Sequence, residues 1–278
     1  MRLALAILGL LVASVAVSEE ENPDFGLADA KFFASVGLFA PNRKLRIGLD
    51  ASFDVTIPEP DPYVDFSEQV DLKSRDETFS AEFGWNFGKR WQFRSQYFRI
   101  EDDQRAALTE DVQWGDYIFN EGTSVRAGVD MQITRLFFGR KFGNYEYFEA
   151  GAGFGGHIID MSAFMNGNAT VNGEDVGFVE ERASVSQPLP NFGGWFRWLY
   201  ADRWALRGRL DWLAADIDKY DGHILNGSVG VAYILSNHFG IGLSYNIFEI
   251  DVSVDDAGWQ GLVRSRFEGP YLALNAYW

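Results

Sequence analysis

Residues 79–97 read FSAEFGWNFGKRWQFRSQY, and apolar side chains alternate with small or polar ones along nearly all of this stretch. From Phe79 to Phe87 every odd-numbered residue is apolar. Gly88, Lys89 and Arg90 interrupt the alternation, which resumes at Trp91. A period of two belongs to a β-strand with one apolar and one polar face, so the stretch predicts a β-hairpin.

The same alternation recurs along the chain in segments as long as about ten residues. Strands in soluble proteins usually run about five or six residues. Strands of a membrane barrel run ~9–11 residues, with the apolar face toward lipid and the polar face toward the lumen. Backbone groups in the hydrocarbon must all be paired, so such a sheet closes on itself. The predicted fold is an all-β, closed, antiparallel up-and-down transmembrane β-barrel.

Ten strands are predicted, and a single-chain bacterial barrel is expected to have an even number. The segment Phe32 to Ala40 also alternates and would make eleven. Twelve strands remain the alternative, with a partner in Val112 to Phe119. The ten predicted strands are residues 45–54, 77–87, 91–100, 124–138, 145–159, 188–200, 204–215, 223–235, 239–251 and 260–278.

Composition excludes several classes of protein. The 278 residues include 24 Phe, 11 Tyr and 9 Trp, whereas disordered chains are poor in aromatics. The absence of cysteine excludes a disulfide scaffold and a thiolate zinc site. A net charge of −16 argues against nucleic acid as a partner, because phosphate binding needs a basic face. No cofactor and no metal site is predicted.

The N-terminus has the pattern of a secretory signal peptide. Met1 and Arg2 precede an apolar run from Leu3 to Val15, and small residues follow at Ala16 and Ser18. We therefore predict a cleaved signal peptide over residues 1–18, an N-terminal periplasmic segment over 19–30 and a barrel over 31–278.

The C-terminus ends in a strand with a terminal aromatic residue. Leu272, Leu274, Ala276 and Trp278 share one face of it. This ending resembles the β-signal that the barrel-assembly machinery recognises in outer-membrane proteins. With the export signal, the chain resembles a small Gram-negative outer-membrane β-barrel. Residues 233–248, with Ser236-Asn237-His238 between two strands, resemble an uncharacterised proteobacterial barrel family, from which no functional residue is carried over.

The connections predict the orientation of the barrel. One set is short, at residues 42–44, 88–90, 143–144, 202–203 and 237–238. The other set is longer and acidic, at 54–76, 101–123, 160–187, 215–222 and 252–260. Outer-membrane barrels have short periplasmic turns and long outer loops. The expected partners are outer-membrane lipids and lipopolysaccharide, with divalent cations an open alternative at the acidic loops.

The polar face predicts a ladder of charges in the lumen. In a barrel of this size, opposed charges either pair into a packed polar core or line a narrow pore. The predicted role is accordingly non-catalytic: structural, interaction-mediating or pore-forming. The predicted ladder consists of Arg46, Asp50, Glu82, Arg94, Arg126, Asp130, Glu149, Arg197, Arg207, Arg209 and Asp211.

Two other functions stay open at this stage. An outer-membrane lipid hydrolase would use His157 or His223 near the outer rim, because a nucleophile needs an adjacent base. A soluble periplasmic barrel that binds an apolar ligand would invert the two faces and place Arg94, Arg126 and Arg209 in water. The aromatic residues near the predicted periplasmic strand ends favour the membrane, where such rings form an interfacial girdle.

Overall fold

The computed structural model describes residues 30–49, 64–65, 78–145, 147–201, 203–217, 220–256 and 259–278. The predicted signal peptide, most of the segment 19–30, Asp50 and most of the predicted loop 54–76 lie outside these residues. Within the described ranges, no helix is long and apolar enough to cross a membrane.

All regular elements of the described chain are strands. In chain order they are β1 (Phe32–Phe39), β2 (Asn42–Leu49), β3 (Val64–Asp65), β4 (Thr78–Phe87), β5 (Trp91–Ala107), β6 (Val112–Trp114), β7 (Tyr117–Phe119), β8 (Ser124–Tyr145), β9 (Phe148–Val171), β10 (Glu174–Ala201), β11 (Trp204–Ile217), β12 (Tyr220–Ile234), β13 (Phe239–Asp256) and β14 (Trp259–Tyr277).

The sheet closes into an antiparallel barrel of ten strands, which confirms the predicted fold class and number. The order around the barrel is β1, β4, β5, β8, β9, β10, β11, β12, β13 and β14, and β14 pairs back onto β1. The two ends of the chain meet at this seam, where Phe32 N donates to Trp278 O at 2.7 Å.

The possible eleventh strand is part of the first one. β1 pairs with β14 from Phe33↔Tyr277 to Phe39↔Tyr271. β2 continues on the same strand, in the same register, from Asn42↔Glu268. The two segments are separated only at Ala40–Pro41, because proline lacks the N–H that a ladder bond requires. The predicted turn at 42–44 is therefore wrong.

The strands β8, β9 and β10 are far longer than a membrane requires. They contain 22, 24 and 28 residues, whereas ~9–11 suffice to span the hydrocarbon. The predicted loop 160–187 is wrong: it is a continuous hairpin of β9 and β10 that turns at Asn172 and Gly173, both at positive φ. The predicted loop 101–123 is also partly strand, because β5 continues to Ala107.

The two faces of the barrel exchange their chemistry partway up the wall. On β5, the inward residue changes from Gln96 to Phe98, and the outward residue changes from Tyr97 to Arg99. Below this level the barrel is polar inside and apolar outside. Above it, the inside is apolar and the outside is charged, as in a water-soluble sheet. We call the upper part, above the apolar outer band, the tower.

The hydrophobic core of the molecule fills the inside of the tower. Aromatic rings meet across the lumen, with Phe98 of β5 at 5.7 Å from Phe248 of β13. Phe248 also lies 6.5 Å from Phe267, its partner on the neighbouring strand β14. With Phe39, these rings form an aromatic layer across the barrel. Further fully or almost fully buried residues above it are Ile47, Ile100, Met131, Ile133, Ile159, Met161, Ile224 and Ile250.

A short hairpin of β6 and β7, residues 112–119, packs into the top of this core, and we call it the lid hairpin. Trp114 and Phe119 are fully buried. Trp114 Nε1 donates to the carbonyl of Glu181 on β10 at 3.2 Å, and Ile118 pairs with Thr170 on β9. These residues are not an additional spanning strand, so the twelve-stranded alternative does not hold.

Candidate functional site

The lower half of the barrel encloses a polar chamber beneath the aromatic layer. Its cavity measures about 160 Å³. Alternation places every second residue of each strand inside, and in this half those residues are polar. The charged side chains that line the cavity are Glu82, Arg94, Arg135, Glu149, Arg197, Arg207 and Arg209.

The first charge cluster of the chamber is centred on Asp211. Arg135 of β8 reaches across the lumen and binds Asp211 of β11 through two guanidinium nitrogens, with Nη2 at 2.8 Å from Oδ1. Both side chains are at most 3% exposed. Arg209 lies 3.9 Å from the same carboxylate and donates to Gln96 Oε1 at 2.9 Å. This cluster ties β11 to β8 and β5, which are not its neighbours in the sheet.

The second cluster is centred on Glu149 at the lower end of β9. Lys141 Nζ lies 2.7 Å from this carboxylate, and Arg197 Nη2 lies at 3.3 Å. Trp195 Nε1 also donates to it, at 3.2 Å. One carboxylate thus holds two cations, which satisfies the rule that buried charges are paired and hydrogen-bonded.

A third group contains Arg94, Arg207 and Glu82. Arg94 lies over the ring of Phe33 at 5.5 Å, and its Nη1 atom is buried without a hydrogen-bond partner. Its nearest polar contact is a long one, 3.5 Å from Nη2 to Asn86 Oδ1. Arg207 extends from β11 to β13. Within the described residues, neither arginine is in a hydrogen-bonded pair with a carboxylate, unlike Arg135 and Arg197.

Glycines make room for both of these guanidinium groups. A Cβ atom at Gly84 would lie 1.6 Å from Arg94 Nη1. A Cβ atom at Gly242 would lie 2.5 Å from Arg207 Nη2. Any side chain at these two positions would therefore displace the arginines from the chamber.

The structure places seven residues of the predicted ladder inside the barrel: Glu82, Arg94, Glu149, Arg197, Arg207, Arg209 and Asp211. Three others lie on the outer wall, which corrects their predicted placement. Arg126 pairs with Asp103 at 2.7 Å and Asp130 with Arg99 at 2.7 Å, both in water. Arg46 is exposed opposite Arg264. Asp50 lies outside the described residues.

The wrong predicted placement of Arg46, Arg126 and Asp130 and the absence of Arg135 and Lys141 from the predicted ladder have one cause. Alternation identifies the two faces of a strand but does not identify the inner one. On β8 a membrane-barrel pattern predicts that the apolar odd-numbered residues from Val125 to Ile133 face lipid, yet they are almost fully buried inside the tower. The same face then carries Arg135 and Lys141 into the chamber. The sequence did contain one indication of the inner face, because Arg135 and Lys141 lie on an otherwise apolar face of β8.

The two histidines considered for catalysis lie on opposite sides of the barrel wall. His157 is completely buried inside, and its Nε2 atom lies 2.9 Å from Asn226 Nδ2. His223 points outward and lies 3.5 Å from Glu249. Because β9 continues to Val171, His157 is at mid-strand rather than near the outer rim. The two residues do not form a common site.

The outer surface of the lower half is an apolar band with aromatic residues toward its lower edge. The ring of Trp204 packs at 4.9 Å from that of Tyr233, and the ring of Phe32 lies 6.1 Å from that of Trp278. Leu272, Leu274 and Trp278 are about half exposed on this surface, and Ala276 lies on the same face. An apolar band about 25 Å tall with aromatic girdles is the lipid-facing surface of an outer-membrane barrel.

The ten-stranded closure, the apolar outer band and the polar lower lumen together define the fold of a Gram-negative outer-membrane β-barrel. No protein-family model matches the sequence, and no curated protein matches it. Among solved structures, the chain is similar to the outer membrane protease OmpT from Escherichia coli. The two are 10% identical, the match covers 91% of this chain and 98% of that chain, and the TM-score is 0.53.

Two further matches are more distant. The attachment invasion locus protein Ail of Yersinia pestis is 12% identical, with 89% and 97% of the two chains covered and a TM-score of 0.31. The toluene transporter TodX of P. putida is 10% identical, with 92% of each chain covered and a TM-score of 0.37. At these identities the likeness concerns the fold alone, and it rests on the OmpT match because the other two scores are much lower.

Proposed function

We propose that this protein is an integral outer-membrane β-barrel with a non-catalytic structural or interaction role, and that its lumen does not conduct. The observation that carries the proposal is the aromatic layer. Phe98 and Phe248 meet across the lumen from strands that are not neighbours in the sheet. Hydrophobic constrictions block ion flow by excluding water.

The lid hairpin adds a second closure above this layer. Its two largest apolar side chains, Trp114 and Phe119, are fully buried in the top of the tower. A buried ion pair between Arg43 of β2 and Asp102 of β5, at 3.1 Å, also connects two strands that are not paired with each other within this region. An ion that left the chamber toward the cell exterior would have to cross the aromatic layer and then the lid.

The tower supports the interaction role. From Asp160 to Val171, β9 continues past the apolar band for roughly 40 Å along the strand, at ~3.3 Å per residue. Its outer wall carries several exposed ion pairs, including Arg264 with Asp251 and Arg266 with Glu268, each at 2.7 Å. A rigid, charged sheet that stands clear of the membrane presents a broad surface to lipopolysaccharide and to macromolecules outside the cell.

Residence in the outer membrane and the export route belong to the same proposal. The proposed route uses the signal peptide over residues 1–18, its cleavage, and recognition of Leu272, Leu274, Ala276 and Trp278 by the barrel-assembly machinery. The outward exposure of these four residues on the closing strand supports this route, because the machinery can only read a face that is accessible during closure.

Single-channel recording in planar bilayers tests the closed lumen. We expect the folded wild-type barrel to show no discrete conductance steps. The matched variant lacks residues 109–122 and combines this deletion with Phe98→Ser and Phe248→Ser, and we expect it to conduct. Heat-modifiable gel mobility establishes that each protein is folded. Discrete steps from the wild type would make it a pore and overturn the proposal.

A further inference from the structure

The chamber has an excess of positive charge in a protein whose net charge is −16. In the described lower half of the barrel, six inward cations face three inward carboxylates. The cations are Arg94, Arg135, Lys141, Arg197, Arg207 and Arg209, and the carboxylates are Glu82, Glu149 and Asp211. The chain as a whole is acidic, so its composition does not account for an excess of three positive charges in the chamber. The excess is specific to this interior.

The excess is distributed over the three groups described above. Asp211 is hydrogen-bonded to Arg135 and lies 3.9 Å from Arg209, and Glu149 binds both Lys141 and Arg197. Glu82 is the carboxylate that remains for Arg94 and Arg207. Each carboxylate is therefore outnumbered two to one, and Arg94 and Arg207 are the chamber cations that have no carboxylate within 4 Å among the described residues.

These two guanidinium groups converge on the seam between β1 and β14. Arg94 lies on Phe33, whose ring is 5.5 Å from that of Tyr277. Arg207 lies on Gly242, which pairs with Ala273 of β14, two residues from Asn275. A Cβ atom at Gly242 would lie 2.5 Å from Arg207 Nη2 and 3.1 Å from Asn275 Nδ2, so this guanidinium group is close to the side chain of Asn275 on β14. Both guanidinium groups therefore lie beside residues of the seam.

Two donors of the chamber lining are buried without a hydrogen-bond partner among the described residues. They are Arg94 Nη1 and the hydroxyl group of Tyr271, whose side chain is only 3% exposed. Burying a polar group without a partner is costly, so buried groups of this kind are normally satisfied. Guanidinium and hydroxyl donors together suit an oxyanion.

We propose that the chamber binds a compact oxyanion of the phosphate, sulfate or carboxylate class between Arg94 and Arg207. The cavity of about 160 Å³ has room for such an ion together with a few waters. The aromatic layer closes the chamber on the tower side, so the ion enters from the periplasmic end. This inference does not depend on what the tower binds.

The test uses the full-length folded barrel and inorganic phosphate as the probe. Binding of radiolabelled phosphate is measured by equilibrium dialysis, with ionic strength held constant by chloride. We expect saturable binding of one phosphate per barrel. Arg94→Gln and Arg207→Gln should each weaken it by about tenfold or more, the effect of losing a charge-assisted hydrogen bond. Arg126→Gln is the control, because it removes the same charge from the outer wall.

Parallel titrations with sulfate and acetate distinguish the class of oxyanion. If none of the three ions binds above the level of chloride, or if Arg126→Gln weakens binding as much as the chamber variants do, the proposal is wrong. Loss of binding that is confined to Arg94→Gln and Arg207→Gln supports it.

A further variant tests the proposed position of the ion without replacing either arginine, and it is needed if Arg94→Gln or Arg207→Gln fails to fold. Ser244 lines the chamber on β13, two residues from Gly242 and on the same face. Ser244→Glu keeps both arginines and supplies a carboxylate beside Arg207. We expect this variant to fold with heat-modifiable mobility and to bind no phosphate. Phosphate binding equal to that of the wild type would contradict the proposed position of the ion.

Discussion

Asp211 and Asp103 each form an ion pair with an arginine, but the two pairs differ in their exposure to solvent. Asp211 is buried in the chamber with Arg135, whereas the side chain of Asp103 is 49% exposed beside Arg126. Removing one partner of a buried ion pair leaves the other charge uncompensated, at a cost of about 3–5 kcal/mol. An exposed pair contributes about 0–1 kcal/mol.

Asp211→Asn is therefore expected to lower the free energy of unfolding by about 3–5 kcal/mol, and Asp103→Asn by less than about 1 kcal/mol. Urea titrations in detergent micelles, followed by tryptophan fluorescence, measure both. Equal decreases in the free energy of unfolding for the two variants would show that the Asp211 ion pair is not buried.

Phe154 and Phe164 point outward from the same strand, ten residues apart. Phe154 is 59% exposed on the apolar band, and Phe164 lies in the tower near Arg126 and Arg182. Phe154→Arg is expected to cost about 2–4 kcal/mol and to reduce assembly, because its charge would face lipid. Phe164→Glu places a charge in water beside Arg126 and Arg182 and should cost less than about 1 kcal/mol. Comparable assembly defects in both would contradict the boundary between band and tower.

At the scale of elements, the lid hairpin depends on a few long-range contacts. Trp114 supplies a fully buried ring and a hydrogen bond to the Glu181 carbonyl. The adjacent Gln113 makes only a local contact with Gly115 O at 3.3 Å. Trp114 is therefore a principal anchor of the lid hairpin, together with the fully buried Phe119.

Trp114→Ala is expected to release the lid while the barrel stays folded, since removing a buried tryptophan costs about 3–5 kcal/mol. Hydrogen exchange should show lost protection across residues 108–123, with heat-modifiable mobility unchanged. Gln113→Ala is the control and should keep the protection. Loss of heat-modifiable mobility in Trp114→Ala would mean that the lid and barrel fold as one unit.

Glu181 makes the lid sensitive to pH. Burial and the nearby carboxylate of Asp116 raise the pKa of Glu181 above its ordinary value. Below the ordinary pKa of about 4.3 the group is neutral in both open and closed forms and carries no penalty. As the pH rises through the raised pKa, the closed lid acquires an unfavourable charge, so its stability falls and remains lower at neutral pH.

Hydrogen exchange of residues 112–119 at about pH 4 and about pH 7 measures this effect, after correction for the intrinsic exchange rate. We expect the wild-type lid to open more readily at neutral pH and Glu181→Gln to remove much of the difference. Glu180→Gln changes an exposed neighbour that pairs with Arg182, and it should behave as the wild type does. An unchanged pH response in Glu181→Gln would exclude Glu181 as the cause.

At the scale of the whole molecule, the barrel has two unequal ends. The turn at Gly88–Arg90 lies just below the apolar band, whereas the turn at Asn172 and Gly173 lies at the far end of the tower. An epitope inserted after Asn172 should be labelled on intact cells, and one inserted after Lys89 only after permeabilisation. The opposite pattern would invert the orientation, and labelling of both would indicate that the chain is not assembled.

Much of the architecture is predictable from the sequence because strand periodicity is local. The hairpin at residues 79–97, the number of strands and the outward face of Leu272 to Trp278 all follow from alternation and turn chemistry. Within the candidate site, the same local pattern places Arg94, Arg207 and Asp211 on the polar face of strands whose opposite face is clearly apolar.

The tower, the aromatic layer and the convergence of the arginines were decided only by tertiary structure. Alternation persists through residues 124–138 and 160–187, but a period of two is the same whether the apolar face meets lipid or a protein core. What differs is the surroundings that the closed barrel provides. The apolar face of the lower half contacts hydrocarbon outside the barrel, whereas the apolar face of the upper half contacts side chains such as Phe98 and Phe248 inside it. The sequence by itself determined that the chain forms an alternating, closed sheet, and the closure of that sheet decided which face is inside at each height.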